Sequence, residues 1–407
     1  MKRILCFEAR KRNNHNVLQI VSILLVLPPI FRAQNTLGCI DVIKSNKCSC
    51  YTFENALFLD CQDTSAKDIK NALKSVSTIH SFTVYDLDGS EESLGPHFIP
   101  QGVCIKHILI SRTSITDIDD ETFMPLRKCL ETLSIVSSKI KLLPQKAFSG
   151  MLKLISIDFT SNYIEEIPSY SFFSLPLMKL NLKGNMITYI SDTAFSGLEQ
   201  TLTEIDLSEN NLTTFPIIPV SKLKHLRSLR LAWNEMSSFP SVDKSDLKSL
   251  EYLDLDSNNF EFISEDCLKF SPSLEILSFH FNFINSIHYR AFYSLVNLKS
   301  LDLSHNRIKM LNNNVFQNNK KLEFLDISHN HLHHIHSLLC NMPSLSEVFL
   351  NHNNILEVPI DSFLNSSNIS KIHLERNCIS NINSESFSDL DNLEELHLDF
   401  NYLNQVP

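Results

Sequence analysis

The chain has 407 residues, 43% of them hydrophobic, a formal net charge of −10 and only seven glycines. That length would ordinarily divide into two or three domains, but a short repeat runs through most of it and overrides that expectation. An acidic balance without a basic domain excludes nucleic acid as an expected partner, and so few glycines argue against a glycine-rich phosphate loop.

In chain order, the first feature is an address. Lys2, Arg3, Arg10, Lys11 and Arg12 form a basic stretch, Val17 to Leu27 is largely apolar, and Pro28-Pro29 ends the run. That order is the pattern of a signal peptide, expected over residues 1–33 with a cut near Ala33; Phe31 fits the site before the cut poorly, and a retained signal anchor is the alternative. The run is shorter than the ~20 residues of a membrane span, and no later stretch is long and apolar enough to be one. An oxidising compartment makes the cysteines readable as disulfides. Nine cysteines remain once Cys6 has left with the leader, and an odd count requires a free or intermolecular thiol.

Residues 34–75 carry Cys39, Cys48, Cys50 and Cys61, and Asp86-Leu87-Asp88-Gly89 reads as an acidic turn. The repeats occupy residues 76–407, and from about residue 105 onward the pattern L-x-x-L-x-L-x-x-N-x-L recurs, as in Leu226, Leu229, Leu231, Asn234 and Met236. Its asparagine falls at 162, 185, 210, 234, 258, 282, 306, 330, 353, 377 and 401, with Ser138 and Thr113 as substitutes before it. A weaker copy surrounds Ile79, Phe82 and Val84, so 13 to 14 repeats are expected. One such unit cannot bury its apolar face alone, whereas stacked units build a continuous core. The leucines turn inward, and the asparagine amide turns inward with them to satisfy backbone groups freed where the strand bends. Ten residues after it a phenylalanine column follows at 123, 148, 172, 195, 292, 316, 363 and 387, lapsing at Val220, Lys244 and Leu268. The expected architecture is an α/β solenoid: a curved horseshoe with a parallel sheet on its concave face and little regular helix.

Cysteine positions give three more expectations. Cys104 and Cys129 stand at equivalent places one coil apart, ~4.8 Å, inside the reach of a disulfide. Cys340 replaces a column phenylalanine and is expected buried and unreactive, with Cys267 similar. The chain stops at Pro407 inside a repeat without a cysteine-rich closing cap. An exposed core end and sheet edge imply missing sequence with a cap or membrane anchor, self-association through that end, or cover by a partner. Cys378 could then pair with an absent cysteine.

On these repeats the chain resembles the extracellular leucine-rich-repeat family, with 24-residue repeats. Its C-x8-C-x-C-x10-C cluster resembles that family's N-terminal cap. The resemblance implies the pairings Cys39–Cys50 and Cys48–Cys61; the weaker reading of the Cys-x-Cys pair is a metal site. Within the family the likeness is to arthropod chaoptin-like proteins and the non-catalytic subunit of luciferin mono-oxygenase. It implies an extracellular protein-binding module, in receptor, adhesion or matrix recognition, that meets a protein ligand on its concave face. The alternative it carries is a non-catalytic stabilising subunit of a secreted enzyme complex.

No G-x-S-x-G, H-E-x-x-H or P-loop occurs, so neither an enzyme nor a cofactor is expected. Histidine is the unusual residue, with eleven of 16 between His280 and His397. His305, His329 and His352 directly precede the ladder asparagine and should form a column, and His331, His333, His334 and His336 cluster in one repeat. A metal site or acid switch is the sharp reading; solvated rings of a common repeat spelling is the expected one. Side chains two, four and six before the asparagine face solvent. Asp158, Asp206, Asp254, Asp302 and Asp326 there read as repeat consensus. Departures from consensus mark the ligand-binding candidates Arg230, Trp233, Tyr252, His280, Phe281, Phe324 and Phe349, the residue types of binding hot spots. Asn211, Asn365 and Asn368 head glycosylation sequons.

Overall fold

The computed structural model describes residues 47–74, 76–239, 247–265 and 268–404. The expected leader, Cys39, Lys244 and Cys267 lie outside the described residues. The described chain forms a 16-stranded sheet in which each strand neighbours the next one along the coil. It opens with an antiparallel hairpin, Cys48–Phe53 against Ala56–Gln62. The two loop residues, Glu54 and Asn55, have φ of 48° and 65°, the left-handed pair that a tight hairpin turn requires. A short helix, Ala66–Leu73, follows, its Ser65 hydroxyl accepting from the Asp68 amide at 3.2 Å. Every later pairing in the sheet is parallel and in register, so that Leu229, Leu253, Leu277, Leu301 and Leu325 lie side by side.

The reason for that register is the asparagine ladder. The Asn185 amide donates to Leu182 O of its own coil and to Phe159 O of the preceding coil, both at 2.9 Å, while its oxygen accepts from the Ile164 amide at 3.1 Å. The same bonds recur down the stack, for example at Asn258 and Asn330. Each buried amide is thereby satisfied, as burial demands, and locks two coils at one spacing. At the substituted rungs the Thr113 and Ser138 hydroxyls bond each other at 2.8 Å.

On the convex side the phenylalanine column is buried from Phe123 to Phe363, with stacked rings such as Phe148–Phe172 at 6.2 Å and Phe292–Phe316 at 6.1 Å. Where the column lapses, different phenylalanines fill the space: Phe215 lies 5.4 Å from Phe239 and 5.7 Å from Phe270. Cys340 departs from expectation. The thiol is half-buried beside Ser337 O, because Leu338 and Leu339 take the core positions of that shorter coil. Disulfides join Cys48 to Cys61 and Cys104 to Cys129, the latter pair with Cα atoms 5.5 Å apart. Cys50 is also disulfide-bonded, and Cys378 is a free, half-buried thiol. No helix among the described residues is long and apolar enough to cross a membrane.

Candidate functional site

Strand alternation puts three residues of each coil on the sheet face, and a turn puts a fourth on its lip. The lip residue immediately precedes the ladder asparagine and is left-handed throughout, with φ of 56° at Trp233, 53° at Phe281 and 54° at His305 and His329. Bulky L-residues rarely adopt that region; the inward amide of the next residue holds the turn and throws the ring outward. The aspartates four before the asparagine have a local task. Oxygens of Asp158, Asp206, Asp302 and Asp326 each accept the amide two residues on at 2.9 Å. Asn181 does the same for Lys183 at 3.1 Å. Their recurrence therefore reflects the strand end, whatever else their charge does.

Two ring ladders run along the C-terminal coils. On the lip, Phe281 stacks on His305 at 4.3 Å, and His305–His329 and His329–His352 follow at 4.0 Å. On the face, Phe324 lies 5.3 Å from Phe349, and Phe349–His373 and His373–His397 stack at 4.4 and 4.5 Å. Burial, reinforced by His305, His352 and His280, depresses His329 to about 4; burial and then His280 also lower His305. Stacking leaves the three histidine rings of the lip column half-buried rather than fully solvated. Among the described residues no group of three His, Cys, Asp or Glu is placed to hold a metal ion. His331, His333 and His334 are exposed, and His336 approaches Asp361 at 3.2 Å instead of joining either ladder.

Between the ladders and the middle coils sits an acidic centre. The Arg230 guanidinium lies 5.1 Å over the Tyr252 ring, whose hydroxyl donates to Asp254 at 3.4 Å. Burial, with Asp254 next in effect, raises the Tyr252 hydroxyl to about 12. Asp256 accepts from the Ser278 hydroxyl and from the His280 amide at 2.9 Å. Burial and then Asp254 push Asp256 up to about 6, and burial also raises Asp254 and Asp326. His280 Nδ1 meets the Ser304 hydroxyl at 2.6 Å.

Of the residues singled out from sequence, the fold brings together Arg230 with Tyr252, His280 with Phe281, and Phe324 with Phe349. Trp233 stands apart on the lip at 65% exposure, with Ser257 between it and Phe281 along that column. Sequence reasoning missed His373 and His397, although both stand four before a ladder asparagine. Toward the N-terminus the lip residues shrink to Ser137, Ser161 and Gly184, leaving an open hollow of about 450 Å³ beside Tyr163 and Met186. Of the sequons, Asn211 is exposed and its side-chain amide bonds none of the described residues. The Asn365 amide donates to Asn341 at 3.0 Å and the Asn368 amide to Pro343 O at 2.6 Å.

Known proteins share this architecture. Chaoptin of Drosophila melanogaster is 36% identical over 78 residues, 19% of this chain and 6% of that protein. Leucine-rich repeat-containing G-protein coupled receptor 5 of Rattus norvegicus is 35% identical over 121 residues, 24% of this chain and 13% of the receptor. The chain thus spans a small part of the length of these relatives. Among solved structures, the glycosylated Toll–Spatzle complex of Drosophila superposes with a TM-score of 0.70 at 19% identity, covering 90% of this chain and 56% of that one. The leucine rich repeat profile matches residues 128–179, 176–236, 200–260, 272–332 and 343–403. With more than half of its residues inside those matches, and with the ladder that the repeat implies, the chain belongs to the leucine-rich-repeat family.

Proposed function

We propose that the chain is an extracellular, non-enzymatic protein-binding module that takes its partner on the concave face of its C-terminal coils. The observation that carries this reading is the pair of ring ladders on an open sheet face, Phe281 to His352 on the lip and Phe324 to His397 beside it. Large rings displayed at fixed spacing on a rigid support lose little entropy on docking, which is how hot spots concentrate binding energy. The basic-then-apolar leader over residues 1–33, a cysteine-rich cap over 34–75 and repeats over 76–407 complete the reading of a secreted or surface-displayed protein. Toll, the structural neighbour, was solved in complex with Spatzle, and one relative is a named receptor.

The test is the double substitution Phe324→Ala with Phe349→Ala. Neither ring is part of the buried core, so the melting curve is expected to stay within a few degrees of wild type. Crosslinked capture of a partner from the native extracellular fluid is expected to fall about tenfold or more. Undiminished capture by a folded double variant would move the binding surface elsewhere.

A further inference from the structure

We propose that the surface this face binds is cationic: an extended polypeptide segment that lays arginine or lysine side chains over the rings of the face ladder. The inference deepens the concave-face reading and rests on it.

The molecule holds an internal copy of this contact. Tyr252 and Asp254 stand six and four before Asn258, and the Arg230 guanidinium of the preceding coil lies 5.1 Å over that ring. Three coils on, Phe324 and Asp326 occupy the same two positions before Asn330. There the preceding coil offers Asp302 in place of the arginine, on the register Asp302 to Asp326. Ring and carboxylate are thus repeated, and the cation that completes the set at Tyr252 is not supplied at Phe324 by that neighbour. A guanidinium from a partner would find both the ring face it favours and two carboxylates to pair with. The lip shows the same preference, with Arg376 lying 4.5 Å over Phe400, and so do the residues just after the ladder asparagine, with Arg307 lying 4.4 Å over Phe283.

The charge of the face favours the same partner. In the strands from Tyr252 to His397, and the residue two after each, the outward positions hold Asp254, Asp256, Asp302 and Asp326, then four further carboxylates, against the single amine of Lys371. That amine already sits between Glu347 at 3.9 Å and Glu395 at 3.5 Å. Of the lip histidines, burial holds His329 and His305 below the ordinary imidazole range, so these two rings add little positive charge at pH 7.

The molecule itself supplies a substitution that removes charge without removing the strand-end bond, because Asn181 makes that bond in place of aspartate. The experiment uses the secreted chain and two fluorescein-labelled peptides, one alternating arginine and alanine, the other glutamate and alanine. The arginine peptide is expected to bind and the glutamate peptide not to, with binding weakening steeply as salt rises. Asp302→Asn with Asp326→Asn is expected to weaken the arginine peptide about tenfold, while Asp158→Asn with Asp206→Asn leaves it within about twofold. No arginine-peptide binding, equal binding of the glutamate peptide, or equal effects of the two asparagine pairs would overturn the proposal. Its failure is distinguishable from failure of the concave-face reading. If Phe324→Ala with Phe349→Ala abolishes capture of the native partner and Asp302→Asn with Asp326→Asn does not, the face stands and the cationic class falls.

Discussion

The strands from Ser156 to Arg230 and those from Tyr252 to His397 share one backbone, one register and one asparagine ladder, yet their open faces differ completely. The first set balances Asp158, Glu204 and Asp206 against Lys179, Lys183 and Arg230 and displays no ring in its strands. Ion pairs such as Lys179–Glu204 at 2.9 Å and Lys183–Glu209 at 3.0 Å close much of that charge internally. The second set is acidic and carries both ring ladders. The inward residues fix where each coil sits and the outward ones are free, because strand alternation separates the two duties. A solenoid can therefore concentrate recognition in one stretch of coils without disturbing the rest.

The largest effect is expected where the two regions are alike. Asn258→Ala would remove two donated bonds and the oxygen that accepts from Met236 N, leaving buried backbone groups unpaired. A loss of roughly 2–5 kcal/mol is expected in denaturant unfolding, and Asn185→Ala in the other region should cost about as much. A cost confined to one region would break the comparison, since it would mean the ladder is not one device.

A second prediction separates the regions by pH. Asp256, raised to about 6, faces Asp254, Asp302, the Ser278 hydroxyl and the His280 amide. Its folded form holds a proton more tightly than the unfolded chain, so its contribution to stability grows as pH falls from about 6 toward 4 and is absent above about 6. With His329, depressed to about 4, the sign reverses: stability present above its ordinary range is lost as pH falls toward 4. Asp256→Asn should raise stability at pH 7 by ~1 kcal/mol after allowance for solvent screening and should change it little at pH 4. An imidazole NMR titration should find His329 still neutral at pH 5; a midpoint in the usual histidine range would show that the lip rings do not stack in solution.

The smallest effect concerns the border between the regions. Trp233 contacts no other ring among the described residues, so Trp233→Ala alone should change partner binding less than about twofold, whereas Tyr252→Ala should cost roughly 1–2 kcal/mol. Comparable losses would extend the binding surface across the border. Glycopeptide mapping of the chain expressed through a eukaryotic secretory pathway is expected to find Asn211 occupied and Asn365 and Asn368 bare, since the last two amides are already engaged; the reverse pattern would show that those bonds do not hold in the nascent chain.

How much of this could be read in advance follows from periodicity. The ladder asparagines and the phenylalanine column recur at near-constant spacing, so their roles were legible from residue types alone. His305, His329 and His352 were legible as a column stacked along the edge of the sheet; the left-handed turn that presents them was not, because spacing does not reveal it. The run through His373 and His397 was missed because these two share their position with Phe349, and the change from phenylalanine to histidine hides it. Phe215, Phe239 and Phe270 escaped notice because they fill the lapse from places outside the column. The strand-end aspartates read as consensus, and their hydrogen bonds explain why; what remained invisible was that asparagine can take the same bond and leave the charge behind.

The left-handed lip has a consequence for how such a surface can change over generations. Gly184 occupies that position at φ 67° without the penalty a side chain brings there, whereas each ring from Phe281 to His352 holds the same turn at a cost of about 1 kcal/mol. Glycine in place of any of the four rings would therefore relax its turn while erasing the ring displayed there. His329→Gly would expose that trade-off directly, as a fold that melts higher and binds less.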